Sequence, residues 1–255
     1  MSVRALDEAP AFSIERPDGV SPFVLACDHA SRRLPRALGD LGLSEAQRAA
    51  HIAWDIGAAA VAQRLSAALD ATLVLQHYSR LVIDCNRPPA APDSIPRHSG
   101  GIPIPGNVDI SRDHAMLRQR EFFDPYHAAL GWVLAERGVA GRPPVLIALH
   151  SFTPDYPGQQ RPWHTGLLYH RDARLAQHLL PLLRADTALT VGDNQPYAMG
   201  DETDYTLVIH GELRGIPHVG IEIRQDLIED PAGQAAWADR LATVLPAALE
   251  ALTAT

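Results

Sequence analysis

Short apolar runs alternate along this chain with segments of helical periodicity, and several of those runs end in a charged or imidazole residue. The runs at 23–26, 72–78, 81–85, 145–149, 165–169, 189–192 and 218–223 have the length and composition of strands. Between them, 55–69, 109–137, 171–184, 205–214 and 234–252 predict helices. Pro125 marks a break or kink in the second, and Pro181 a blemish in the third. Ser44 and Gln47 have the spacing of a capping box, so a helix is expected to start within 44–50. This alternation predicts an α/β fold of three layers, α/β/α, around a mixed, mainly parallel sheet. One domain over 1–255 accommodates it. The segment 88–105 is dense in Pro, Gly and Ser, which predicts a loop long enough to be a lid or a binding loop.

Composition removes several chemistries. All 22 basic residues are arginine. Without lysine, Schiff-base, P-loop and kinase-type mechanisms are excluded. Any fixed positive charge is a guanidinium, a fork suited to carboxylates. A net charge of −8 with no basic run argues against a nucleic-acid partner. No apolar stretch reaches the roughly 18 residues of a membrane span. Residues 1–17 carry acids and lack a long apolar core, so no signal peptide is expected and a cytoplasmic location is. Cys27 and Cys85 are too few for a disulfide framework.

In a largely parallel sheet the chemistry lies beyond the carboxyl ends of the strands. Four strand ends here are polar: Asp28-His29, Asn86-Arg87, His150-Ser151 and the Glu222 to Gln225 stretch. One polar strand end is an ordinary turn; four together predict a site. His29 and His150 are the candidate metal ligands, each fixed by the strand before it. The third ligand is an acid, Asp55 at the start of a helical pattern, with Asp28 beside His29 in reserve. Glu222 lies inside an apolar strand, where a carboxylate is costly unless paired or ligated. It is the candidate general base, or else the ion-pair partner of Arg224, two positions along on the same face. Arg80, Asn86 and Arg87 can clamp a substrate carboxylate, with Asp84 holding an arginine in place. Arg224 is a further candidate for substrate binding.

Two other functions fit parts of the pattern. A thiol amidase would use Cys27 or Cys85. A binding protein for an acidic metabolite would use the Arg and Asn clamp without a metal.

The ordered set of motifs resembles the N-formylglutamate amidohydrolase family. It comprises His29-Ala-Ser, the stretch from Ser79-Arg80 through Asp84-Cys-Asn86-Arg87-Pro88, Tyr126-His127, and Leu149-His150-Ser151. It continues with Gly192-Asp-Asn-Gln-Pro-Tyr197 and the run from His218 through Glu222 to Leu227. These span almost the whole chain. The resemblance implies a zinc-exopeptidase-like architecture and one divalent metal, zinc by preference. It implies His29 and His150 as ligands, Asn86 and Arg87 as carboxylate receptor and Glu222 as base. The expected reaction is hydrolysis of a small N-acyl amino acid, N-formyl-L-glutamate foremost. Two departures stand beside the ligand: Asp28-His29-Ala30-Ser31 replaces the usual Pro-His-Ser-Gly, and Arg32 stands where a His-x-x-Glu pair would have its acid.

Overall fold

The central apolar runs become strands because each is covered on both faces. The computed structural model describes residues 2–156 and 158–254, and of Gln159 the backbone alone. Its strands are β1 (Phe12–Glu15), β2 (Phe23–Cys27), β3 (Thr72–Gln76), β4 (His98–Ser99), β5 (Ile102–Pro103), β6 (Val145–Phe152), β7 (Asp155–Tyr156), β8 (Gln159–Gln160), β9 (Thr165–Leu168), β10 (Val191–Asp193) and β11 (His218–Arg224). Its helices are α1 (Glu45–Ala49), α2 (Ala58–Leu69), α3 (Arg112–Arg118), α4 (Asp124–Val139), α5 (Arg174–Arg184), α6 (Thr206–His210) and α7 (Pro231–Thr253). Seven strands form one sheet in the order β1-β3-β2-β6-β11-β9-β10. Strands β3, β2, β6 and β11 are mutually parallel. The β9–β10 pair runs antiparallel to β11, and β1 runs antiparallel to β3. The mixed, mainly parallel sheet is the predicted one.

Alternation along the strands sorts the core into two layers. Leu25, Ile147, Leu149 and Ile221 pack with Val61 and Leu65 of α2, Leu179 of α5 and Leu241 of α7. Val24, Ala26, Leu146 and Ala148 pack with Tyr126 and Leu130 of α4 and Leu207 of α6. The same alternation places His150 and Glu222 on the α4 and α6 face. They are register partners on adjacent parallel strands.

Several predicted boundaries change. The run 81–85 is buried but is not a strand. Both edges of β3 are already taken, by β2 and β1, so no ladder is left for it. It folds as turns instead: Val82 N–H donates to Ser79 O and Leu81 N–H to Ser79 Oγ. Strand β1 was not anticipated. The expected helix 109–137 is two helices joined by a π turn over Gln119–Phe123. Pro125 cannot supply the N–H that a continuous α-helix needs there, and the widened turn absorbs the loss. The helix expected from 55 starts at Ala58, after Gly57 at φ +79°. A Cβ on Gly57 would lie 2.2 Å from Ile228 O. The terminal helix begins earlier than expected because Asp230 caps it, accepting from Gly233 N–H, with Pro231 following. The 205–214 segment breaks after His210 into a 3-10 turn. The 88–105 loop carries the β4–β5 hairpin. Beside it Asn107, fully buried, donates to Leu81 O and Pro96 O.

Candidate active site

His29 follows β2 and His150 lies within β6. A backbone bond from Asp55 N–H to His29 O folds the α1–α2 connection over the end of β2. Asp55 therefore reaches the two histidines with its carboxylate rather than capping α2. Its Oδ2 lies 2.9 Å from His150 Nδ1 and 3.3 Å from His29 Nδ1. All three residues are buried.

The far nitrogens are held as well. His29 Nε2 is 2.7 Å from Asp84 Oδ1. His150 Nε2 is 3.3 Å from Asp28 Oδ2, close enough for charge pairing though off the line of a hydrogen bond. Asp28 is fixed in turn by the Tyr126 hydroxyl at 2.7 Å and the Thr206 hydroxyl at 2.8 Å. Of the two acids proposed as third ligand, Asp55 sits between the imidazoles and Asp28 sits behind one of them.

This donor set fits a divalent metal. One ligand atom from each of His29, Asp55 and His150 can be chosen so that all lie within 4.8 Å of one another. Tetrahedral zinc with bonds of about 2.1 Å needs ligand atoms about 3.4 Å apart. Carboxylates on the outer imidazole nitrogens are the usual support of such ligands, fixing tautomer and orientation.

The electrostatics follow from the contacts. Burial opposes ionisation of Asp55, but the charges and hydrogen bonds of His29 and His150 outweigh it and hold the acid well below the usual range. Burial likewise disfavours the charged His150, yet its contacts with the Asp28 and Asp55 carboxylates raise it well above an ordinary imidazole. His29 is raised too, its carboxylate neighbours overcoming burial and the Arg80 charge. Glu222 differs. Its Oε2 is buried and has no hydrogen-bond partner. Burial raises it to about 7, against the pull of His150. A carboxyl group with that value beside a candidate metal centre can take and return a proton near neutral pH.

The sequence-predicted arginines separate. Arg80 grips Asp84 through Nε and Nη2 and reaches Asp55 Oδ1 through Nη1 at 3.4 Å, so it borders the cluster. Three of its five N–H groups are thus used. Asn86 is engaged elsewhere: its Nδ2 donates to Asp204, and its Oδ1 accepts from Tyr205 N–H and Thr206 N–H. Arg87 pairs with Asp93 and donates to Thr203 O. Arg224 pairs with Asp226, not with Glu222. His127 and His210 stack on each other, and His127 Nε2 donates to Cys85 O. Both cysteines are buried and pushed well above the usual thiol range, first by burial and then by nearby carboxylates. Such thiols are poor nucleophiles.

Three groups near the cluster escaped sequence reasoning. His51 Nε2 lies 3.9 Å from Asp55 Oδ1, and burial lowers its imidazole to about 4. Tyr197 arrives on the loop after β10. That loop presses so closely on β9 that a Cβ on Gly166 would lie 1.7 Å from Gln195 O. The Arg161 guanidinium lies over the rings of Tyr156 and Tyr197. None ends an apolar run, so strand-end reasoning passed over them; the Asp193 to Tyr197 motif was the one available signal. A separate crevice of about 540 Å³ is lined by Arg171, Asp172, Arg174 and Glu212, whose charges pair among themselves.

Comparison with known proteins places the molecule. No curated protein sequence matches it. The solved structure of a gene product from Agrobacterium tumefaciens is 39% identical, with a TM-score of 0.95 over 98% of this chain and 99% of that one. The N-formylglutamate amidohydrolase of Ralstonia eutropha JMP134 is 20% identical, with a TM-score of 0.66 over 97% of this chain and 100% of that one; at that identity the likeness is one of fold. The family model for N-formylglutamate amidohydrolase matches residues 21–229. Because that match takes in every strand end and turn from His29 to Glu222, the chain belongs to the N-formylglutamate amidohydrolase family.

Proposed function

We propose that this protein is a metal-dependent amidohydrolase for a small N-acyl amino acid, N-formyl-L-glutamate foremost, releasing L-glutamate and formate. Membership of the family supports a hydrolase acting on a C–N bond other than a peptide bond. The observation that carries the reading is the buried His29, Asp55 and His150 set with an unpartnered Glu222 carboxyl in register beside His150. His29, Asp55 and His150 hold the ion. When bound, a divalent metal such as zinc supplies Lewis acidity toward the acyl carbonyl and toward water.

The chain's own groups do the rest. Glu222 takes the proton from the attacking water and delivers it to the leaving nitrogen. Water thereby adds across the C–N bond, hydroxyl to the acyl carbon and hydrogen to the amine. Asp84 and Asp28 keep the imidazoles oriented. Arg80, with unused N–H groups at the edge of the cluster, holds a substrate carboxylate.

Metal analysis of the purified protein, with a hydrolysis screen of N-formyl and N-acetyl amino acids, tests this. Activity is expected to vanish with a chelator and to return with zinc. Full turnover by an exhaustively metal-free protein would overturn it.

A further inference from the structure

Buried guanidinium groups are costly unless anions or carbonyl oxygens meet their N–H groups. Most buried or site-bordering arginines here obey that rule. Arg137 donates to Gly19 O, Ser21 O and Thr72 Oγ1. Arg118, whose Nε is also buried without a partner, still makes two short bonds from Nη1, to Val82 O at 3.1 Å and Asn107 Oδ1 at 2.8 Å. Arg80, Arg87 and Arg224 each have a carboxylate.

Arg161 does not. It is 4% exposed, and no described carboxylate lies within 4.0 Å of its nitrogens. Among the described residues it donates two long hydrogen bonds from Nη1, to Thr153 O at 3.4 Å and Thr153 Oγ1 at 3.3 Å, and the Tyr197 phenol is its other polar neighbour. Its Nε is buried without a partner. Its guanidinium carbon lies over aromatic rings instead: Tyr156 at 4.5 Å, Tyr197 at 4.8 Å and Phe152 at 6.0 Å. Rings satisfy the faces of a guanidinium and leave its in-plane N–H edge unmet. A carboxylate fits that edge with two parallel bonds.

The position suits a substrate. Phe152 lies two residues beyond His150 on β6, on the same face and about 7 Å further along the strand. Tyr197, whose ring centre lies 4.8 Å from the Arg161 guanidinium carbon, is raised by burial and then by the Glu222 charge against the pull of Arg161, which ties this arginine's surroundings to the candidate base.

We propose that Arg161 determines specificity by receiving the side-chain carboxylate of the substrate, while Arg80 borders the reacting end. This rests on the amidohydrolase reading and adds the residue that distinguishes acidic from neutral N-acyl amino acids.

The test uses the zinc-loaded full chain and its Arg161→Met and Arg161→Lys variants. Calorimetric binding of glutarate, a dicarboxylate, is compared with binding of butyrate, a monocarboxylate of similar reach. Arg161→Met is expected to weaken glutarate by about 10- to 100-fold and to leave butyrate unchanged. Arg161→Lys, which keeps charge but not the fork, is expected to fall between. The ratio of kcat/KM for N-formyl-L-glutamate over N-formyl-L-glutamine should collapse in Arg161→Met, chiefly through KM. The melting temperature of Arg161→Met should hold or rise, because an unpaired buried charge is removed.

A folded Arg161→Met protein with undiminished glutarate binding overturns the proposal. So does a lowered melting temperature with equal loss of both ligands, the mark of a merely structural cation. If the wild type hydrolyses no N-acyl amino acid yet prefers glutarate through Arg161, the amidohydrolase reading fails and the carboxylate receptor stands.

Discussion

At the scale of single residues, the site is defined by which polar atoms are met and which are not. Asp55, Asp84 and Asp28 all have partners, and each is held below the ordinary carboxylate range despite burial. Glu222, also buried, has no hydrogen-bond partner for Oε2 among the described residues and is raised to about 7 by burial. Four buried acids thus divide into three held ionised and one whose value suits proton transfer near neutral pH, the division the proposed mechanism requires. Glu222→Gln keeps the shape and removes the base. Turnover of N-formyl-L-glutamate is expected to fall by about a hundred- to ten-thousand-fold with zinc content unchanged. Near-normal turnover in steady-state kinetics would show that another group takes the proton.

At the scale of elements, close backbone approach positions the rim. Gly166 on β9 lets the Gln195 carbonyl pack where a side chain would stand, and this seats the loop that carries Tyr197. Gly166→Ala is expected to cost more than about 2 kcal/mol, since the obstacle is backbone and cannot swing away. Gly138 in α4 is the control, because a Cβ there meets nothing within 4 Å. Gly138→Ala is expected to raise stability by up to about 1 kcal/mol through helix propensity. Urea unfolding of both variants checks the pair; equal and small effects would mean the β9–loop contact is slack. The π turn before α4 is a second device of this scale. It accommodates Pro125 and still leaves Tyr126 aimed at Asp28.

For the whole molecule, acid stability is set in part by the buried pair His127 and His210. Burial lowers them to about 4 and about 3. Unfolded, both would take up protons near the model-peptide value of about 6.5. Between about pH 6.5 and 4 the unfolded chain therefore binds more protons than the folded one, so stability falls as the pH drops through that window. Denaturation midpoints of metal-free protein at several pH values should show this, and a His127→Gln, His210→Gln variant should show a shallower fall. An unchanged slope in the variant would assign the acid sensitivity to other groups. What the sequence determined by itself was the layered α/β order and the short list of chemical residues at strand ends. A continuous apolar run and its polar termination are local signals, readable at 145–150 and 218–224 without any partner. What only the tertiary structure decided were the contacts made across long stretches of chain. The 81–85 run has strand composition, but whether a β edge is free depends on β1 and β2. The sequence favours Asp55 as third ligand and keeps Asp28 in reserve; the fold that seats Asp55 between the imidazoles, through the bond from its N–H to His29 O, is not legible there. Arg161 carries no mark in its Gln-Gln-Arg-Pro-Trp surroundings. Its N–H groups go unmet because Tyr156 and Phe152, near it in the chain, and Tyr197, from the loop after β10, gather round it with no described carboxylate in reach.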